Sequence, residues 1–274
     1  MLSFILMLIL GCVAIAWLVT SPQRAQYRRR KVVSSPFPTR WRHILKKRFP
    51  YFLSMPADLQ LQLKKHIQVF IHEKEFVGCE GIQINDEVKV TIAAQACLLL
   101  LNRQTGFYPQ LKQILVYPSA FITENEQTDA SGVVWYNRRV LSGESWENGK
   151  VILSWHDTLV GAAAPFDGNN VVIHEFAHQL DQESGSANGA PILATSKDYQ
   201  QWSKVLSQEF EALKHCVATN TPSLFDNYGA TNPAEFFAVV SEVFFEQSQS
   251  MAAQYPELYK QLSQFYRLDP INWH

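Results

Sequence analysis

The chain has 274 residues, of which 47% are hydrophobic and 18% are charged, and its formal net charge is -1. This length is ample for a buried core in one large domain or two small ones. The near-neutral charge gives no sign of a nucleic-acid partner, and four widely spaced cysteines without a C-x-x-C pair do not indicate a disulfide framework.

The first 20 residues differ in composition from the rest of the chain. Residues 1–20 carry no charged side chain and match the roughly 20 residues that a membrane-spanning helix needs. Arginines follow this run and no Lys or Arg precedes it, so the positive-inside rule places the N-terminus outside and the remaining chain in the cytoplasm. We therefore predict a transmembrane helix at 1–20 and a single-pass protein of the inner (cytoplasmic) membrane. A cleaved signal peptide lacks its basic start here, and lipid attachment at Cys12 stays open.

Residues 21–50 mix basic residues, prolines and aromatics and are interpreted as a basic juxtamembrane linker. Their charge could lie against anionic lipid headgroups, or the segment could be a solvated spacer. The globular domain is then predicted to occupy residues 51–274.

Within that domain, hydrophobic periodicity and capping signals predict helices at 54–75, from 86 to near 106, 196–216, from 233 to about 247, and 256–266. Short β-rich segments at 114–117, 132–141 and 151–155 have hairpin-like turn signals between them. The predicted fold is α+β, mainly helical, with a small, mostly antiparallel sheet. The segment 151–155 could be an edge that binds an extended peptide, or an ordinary sheet strand.

The motif with the clearest chemistry is H-E-x-x-H, formed by His174, Glu175 and His178 in the segment VVIHEFAHQLD. Residues four apart share one face of a helix, so the two imidazoles could bind a single zinc ion. Glu175 would then accept a proton from a zinc-activated water as general base. The alternative is a structural helix with these residues by chance. Burying Glu175 without compensation would be costly, however, and a metal would offset that cost.

A third protein ligand is needed, and Asp181 is the nearest candidate in the sequence. His174 and Asp181 are seven residues apart, about 10 Å along a straight helix, which is too far for both to bind one ion easily. Asp181 is better interpreted as a group that orients a ligand imidazole.

Glu235, in the segment NPAEFFAVVSEVFF, is the strongest candidate for the remaining ligand. With Asn232 as N-cap and Pro233 at the first helical position, Glu235 could instead complete a capping box. Glu242 shares its helix face and is the alternative ligand. Two acidic side chains on one buried face indicate a positive charge opposite them.

Several motifs in the same order resemble the Mlc titration factor A family of zinc metallopeptidases. The resemblance runs from about residue 41 to the C-terminus and is carried by GNNVVIHEFAHQLD, NPAEFFA, AAQACLLLL and ILVYP. It implies a gluzincin-like, zincin-type domain with an active site similar to that of anthrax lethal factor. It also implies that His174, His178 and Glu235 bind Zn2+, that Glu175 is the catalytic base, and that Tyr228 hydrogen-bonds the oxyanion.

The resemblance implies a peptide or protein substrate and, as a partner, a transcriptional repressor of the Mlc type. Endopeptidase and aminopeptidase action are not distinguished by these residues. The contrasting hypothesis is a non-catalytic, membrane-tethered regulator that binds a transcription factor and keeps a zinc site. A closed structural zinc site normally has four protein ligands, mostly Cys and His, so three ligands without a nearby cysteine favour catalysis.

Overall fold

The computed structural model describes residues 3–4, 10–12, 15, 17, 19–103, 106–128, 134–141, 143–146 and 149–273. The α-helices are α1 (Ser21–Ser34), α2 (Thr39–Arg48), α3 (Tyr51–Ser54), α4 (Ala57–Glu73), α5 (Asp86–Leu98), α6 (Trp155–Ala163), α7 (Val171–Asp181), α8 (Ser196–Thr219), α9 (Pro233–Glu246), α10 (Ser248–Gln254) and α11 (Pro256–Tyr266). The strands are β1 (Glu75–Gly78), β2 (Gln113–Tyr117), β3 (Phe121–Thr128), β4 (Val134–Leu141), β5 (Gly143–Trp146) and β6 (Lys150–Ser154). Short 3-10 turns occupy Gln182–Ser184, Asn227–Ala230 and Pro270–Asn272.

The sheet that supports the site has the strand order β1-β2-β6-β5. Strand β2 pairs in parallel with β1 and with β6, and only β5 runs antiparallel to its neighbour. The prediction of a mostly antiparallel sheet was therefore wrong. Parallel neighbours need a long crossover, which α5 supplies between β1 and β2, whereas the turn signals had suggested direct hairpins. Strands β3 and β4 form a separate antiparallel pair, and residues 129–133 between them lie outside the described residues, including the first two residues of the segment predicted at 132–141.

Strand β6 lies inside the sheet, between β2 and β5. The interpretation of the segment 151–155 as a peptide-binding edge was wrong, because both sides of this strand are already paired with backbone. The strand at this edge of the sheet is β5, which follows the β3-β4 pair and reaches α7.

No helix in the described part of the chain is long and apolar enough to cross a membrane. A spanning helix needs about 20 continuous, mainly apolar residues. The predicted transmembrane helix, and the single-pass inner-membrane location that depended on it, are therefore overturned. Part of the segment 1–20 lies outside the described residues.

The basic segment 21–50, interpreted as a linker, contains helices α1 and α2. Arg29 on α1 donates two hydrogen bonds to the Glu73 carboxylate on α4, at 2.7 and 2.9 Å, and a third to the Gly106 carbonyl. Helix α1 is thus joined to the domain by a bidentate ion pair, the geometry that gives arginine–carboxylate contacts their specificity.

The core is built around helices that are buried over most of their length. Helix α9 carries Phe236, Phe237, Phe244 and Phe245, all buried, and α5 is also buried over most of its length. The large apolar surface of each helix places it inside the protein. Because α9 packs along α7, the start of α9 lies opposite the two histidines of α7.

Candidate metal centre

Helix α7 begins at a strong N-cap. The Asn170 side-chain oxygen accepts hydrogen bonds from the backbone N–H groups of Val172 and Ile173, at 3.1 and 3.0 Å. This cap fixes the first turn, so His174 and His178 lie on the same face. Their ring centroids are 4.9 Å apart.

Helix α9 also begins at an asparagine cap. The Asn232 side chain accepts from the N–H groups of Ala234 and Glu235, and Pro233 occupies the first helical position. The Glu235 carboxylate extends to the imidazoles: Oε2 lies 3.0 Å from His174 Nε2 and 3.2 Å from His178 Nε2. The cap is thus made by Asn232, while the Glu235 side chain faces α7.

His174, His178 and Glu235 form a group that could hold a metal ion, with one potential ligand atom from each residue and all three atoms within 4.8 Å of one another. Two imidazole nitrogens and one carboxylate oxygen fit a divalent transition metal, and three protein ligands leave a coordination position open. The carboxylates around His174 raise its pKa well above the usual value despite the opposing effect of burial. The same negative potential would attract a cation.

Glu242 holds the other side of the His174 ring. Its Oε1 lies 2.8 Å from His174 Nδ1, while its Oε2 accepts from the backbone N–H of Asn170. Only 6% of Glu242 is exposed. Glu242 therefore contacts the nitrogen that faces away from the candidate metal position, as residues that orient ligand imidazoles do.

Asp181 does not have the position expected of it. Its Oδ2 accepts a hydrogen bond of 2.7 Å from the backbone N–H of Gly189, so it anchors the loop after α7. The imidazole contact expected of Asp181 is made by Glu242 instead. An aspartate at the end of α7 is close to the following loop, whereas Glu242 reaches His174 because α9 packs against the start of α7.

Glu175 is nearly enclosed, with 5% of its surface exposed. Within the described residues, its Oε2 is buried and has no hydrogen-bond partner. Burial raises the pKa of this carboxyl to about 7, with opposing contributions from the two imidazoles. A carboxyl with a pKa near neutrality is suited to proton transfer.

Gly143, at the start of β5, lies against Glu175. A Cβ built at this position would be 2.6 Å from both Cγ and Oε1 of Glu175 and 2.7 Å from a methyl group of Val171. No side chain fits here without displacing Glu175. Gly143 is not among the residues predicted from the sequence, because no local signal shows that β5 passes beside α7.

Tyr228 lies on the 3-10 turn Asn227–Ala230, whose first residue follows the cap Asp226. Its ring centroid is 6.0 Å from that of His174, and 43% of the residue is exposed. Tyr228, the two histidines, Glu175, Glu235 and Gly143 all line one cleft of about 940 Å3. All five site residues predicted from the sequence therefore face the same space.

A further buried carboxyl, Glu246, fixes the approach to α7. Its oxygens accept from the Asn170 side-chain amide at 2.9 Å and from the Gly168 N–H at 3.1 Å. Burial raises its pKa to about 9. Glu246 is not among the residues predicted from the sequence, although its four-residue spacing from Glu242 places both on one face of α9.

This raised pKa predicts a pH-dependent stability. The unfolded carboxyl keeps a pKa near the usual 4.5, so folding takes up a proton between about pH 4.5 and about 9. The free energy of unfolding therefore falls as pH rises through that window, by up to about 1.4 kcal/mol per pH unit from this group. The glutamine side chain of Glu246→Gln cannot titrate. Wild type should therefore lose stability relative to this variant between about pH 5.5 and 8. Urea unfolding of both proteins, after bound metal is removed with a chelator, measures the difference. A difference between wild type and Glu246→Gln that does not change with pH would contradict the assignment.

The fold and site together define a class: a mainly helical α+β protein with a three-residue candidate metal centre beside a buried glutamate. The family model described as glucose-regulated metallo-peptidase M90 matches residues 23–267. The chain belongs to this metallopeptidase family, and the resemblance to the Mlc titration factor A family is confirmed.

The chain is also similar to individual proteins. An uncharacterized protein of Synechocystis sp. is 38% identical over 270 residues, covering 98% of each chain. A protein of Salmonella arizonae named Mlc titration factor A is 33% identical over 225 residues, covering 81% of this chain and 88% of its own. Its namesake from Salmonella typhi is 33% identical over 224 residues, covering 81% and 83%.

Proposed function

We propose that this protein is a zinc-dependent peptidase in which His174, His178 and Glu235 hold the metal and Glu175 is the general base. The observation that carries the proposal is the position of one carboxylate oxygen of Glu235 within 3.2 Å of the Nε2 atoms of both histidines. Membership in a metallopeptidase family supports the same conclusion.

The bound zinc ion would supply a Lewis acid that lowers the pKa of water to about 7. Glu175 takes a proton from the attacking water as the water oxygen bonds to the scissile carbonyl carbon. The C–N bond then breaks, and Glu175 returns the proton to the leaving amine, which gives one carboxylic acid and one amine. The buried, unpartnered Oε2 of Glu175 is an acceptor without a competing donor in the described part of the chain, which suits this role.

Tyr228 is proposed to donate a hydrogen bond from its hydroxyl to the carbonyl oxygen as negative charge develops there. Its ring is near His174 and lines the cleft, so a bound peptide carbonyl can lie within its reach. The backbone of β5, beside Glu175 at Gly143, offers a sheet edge along which an extended peptide can align.

The test is a measurement on the full chain: zinc by elemental analysis, and cleavage of a library of short peptides with free or blocked N-termini. We expect one zinc per chain and metal-dependent cleavage. Cleavage of blocked peptides at internal bonds would identify an endopeptidase, and a requirement for a free N-terminus would identify an aminopeptidase. A zinc-free protein would contradict the metal assignment.

Tyr228→Phe is expected to keep its zinc and lower kcat by about 100-fold, because one hydrogen bond to the developing oxyanion is lost. Zinc content and steady-state kinetics measure the two effects separately. Tyr27→Phe, at an exposed tyrosine on α1, is the matched control. Unchanged kcat in Tyr228→Phe would remove this residue from the mechanism.

Glu242→Gln is expected to weaken zinc binding by about 10- to 100-fold, because the charged acceptor that holds His174 Nδ1 is lost. Competition with a zinc chelator measures the dissociation constant. Glu257→Gln, on the exposed start of α11, serves as the control. Equal zinc affinity in wild type and Glu242→Gln would show that Glu242 has no role in positioning the ligand.

The alternative function is a non-catalytic regulator that binds a transcription factor and keeps the metal site. The name of the Salmonella relatives, Mlc titration factor A, supports testing a repressor of the Mlc type as the partner. Zinc without cleavage of any peptide, combined with repressor binding that survives Glu175→Gln, would favour this alternative. Peptide cleavage by the isolated chain would favour the peptidase.

A further inference from the structure

A second cavity, of about 710 Å3, lies beyond the turn that follows α7. Its lining includes Arg103, Glu183, Asp198, Trp202, Gln261 and Phe265. The volume is within the range of small-molecule sites, and the walls combine aromatic rings, amides and both signs of charge. Gln182 lines the cleft at the candidate metal centre, and Glu183 lines this second cavity. The Gln182–Ser184 turn therefore forms part of the wall of both.

Arg103 contributes a positive charge and, in the described part of the chain, an N–H group that is not satisfied by a hydrogen bond. Its guanidinium carbon lies over the Phe265 ring, 4.0 Å from the ring centroid, in a cation–π contact. Within the described residues, Arg103 Nη1 is buried and has no hydrogen-bond partner. A guanidinium stays charged in proteins, so an unsatisfied buried N–H carries a free-energy cost that a bound acceptor would remove.

Glu183 contributes the opposite charge. In the part of the chain that the structure describes, its Oε1 is also buried without a hydrogen-bond partner. Burial raises the pKa of this carboxyl, and the charge of Arg103 partly offsets that effect. The cavity thus contains one underused donor group and one underused acceptor group.

We propose that this cavity binds a small zwitterion, a free α-amino acid or a dipeptide, with its carboxylate on Arg103 and its ammonium group on Glu183. A simple anion would satisfy Arg103 but would meet the charges of Glu183 and Asp198. A simple cation would be repelled by Arg103 and by Arg267, which also lines the cavity. Trp202 and Phe265 provide apolar surface for a side chain of the ligand.

The proposed site does not depend on the peptidase activity. Binding is therefore measured by isothermal titration calorimetry on the full chain carrying Glu175→Gln, so that a dipeptide is not consumed. The probes are L-leucine and L-alanyl-L-leucine. Leucinol, which lacks the carboxylate, 4-methylpentanoate, which lacks the ammonium group, and inorganic phosphate are the comparison ligands.

We expect saturable binding of L-leucine or the dipeptide, weakened at least tenfold when either charged group of the ligand is removed. Arg103→Gln and Glu183→Gln should each weaken binding to a similar extent, whereas Arg30→Gln, at an exposed arginine on α1, should leave it unchanged. If Arg103→Gln does not fold, Glu183→Gln and the comparison with leucinol still test both ends of the site.

Three results would overturn the proposal. Absence of binding by both probes would exclude this class of ligand. If Arg103→Gln and Glu183→Gln both bind the probes with the affinity of the parent Glu175→Gln protein, the ligand lies elsewhere on the protein. Phosphate binding that depends on Arg103, without amino-acid binding, would define a simple anion site.

Discussion

Glu175→Gln is expected to keep one zinc per chain while kcat falls by about 1000-fold, the size of a general-base contribution. Glutamine has nearly the same shape as glutamate, so the buried site should remain packed. Its amide has no carboxylate to accept the proton of the attacking water, however, so the chemical step should slow. Elemental analysis and single-turnover cleavage of the best library peptide measure the two properties independently.

His174→Ala provides the contrast, because it should lose both zinc and activity. His215→Ala, at an exposed histidine on α8, should lose neither and controls for the loss of an imidazole. An active Glu175→Gln enzyme would exclude Glu175 as the general base. Loss of zinc in Glu175→Gln would show instead that this residue supports the metal site.

Gly143→Ala is expected to lower kcat by about 100-fold although Gly143 has no side chain that could take part in the reaction. The added Cβ would lie 2.6 Å from both Cγ and Oε1 of Glu175. Non-bonded atoms do not approach a Cβ this closely, so Glu175 must move. A displacement of about 1 Å in a catalytic group can cost a factor of about 100 in rate. The overpacking should also destabilise the protein by about 1–3 kcal/mol.

A double-mutant cycle separates this effect from general damage. If Gly143→Ala acts by moving Glu175, it should cause little further loss of kcat in the Glu175→Gln background. Gly106→Ala is the matched control, because a Cβ there would make only an ordinary 3.5 Å contact with Pro109. Full activity of a folded, zinc-loaded Gly143→Ala protein would show that the Gly143–Glu175 contact does not constrain catalysis.

Short-range features of the site could be predicted from the sequence. The fourth and fifth predicted helices, from 233 to about 247 and at 256–266, correspond to α9 (Pro233–Glu246) and α11 (Pro256–Tyr266). The Asn232 cap and Pro233 start the helix through contacts with residues at most three positions away, so they can be recognised from the local sequence. The shared face of His174 and His178 follows from helix geometry alone.

Contacts between distant segments could not be predicted in this way. The direction of β2 relative to β1 and β6 depends on how the chain crosses over, and local turn signals do not encode it. The contact of Glu242 with His174 Nδ1 depends on the packing of α9 against α7, which the local sequence does not encode. The cavity beside Arg103 likewise combines segments that are far apart in the chain.

The sequence by itself thus determined the H-E-x-x-H motif, the family and the helices that carry the candidate site, because residue spacing within one helix fixes which side chains share a face. Only the tertiary structure decided that Glu235 faces both imidazoles, that Glu242 holds His174, that Gly143 borders Glu175 and that Glu183 lines a second cavity. The physical reason is that these contacts arise from packing between elements, where burial and complementarity over the whole core select one arrangement among many that local propensities allow.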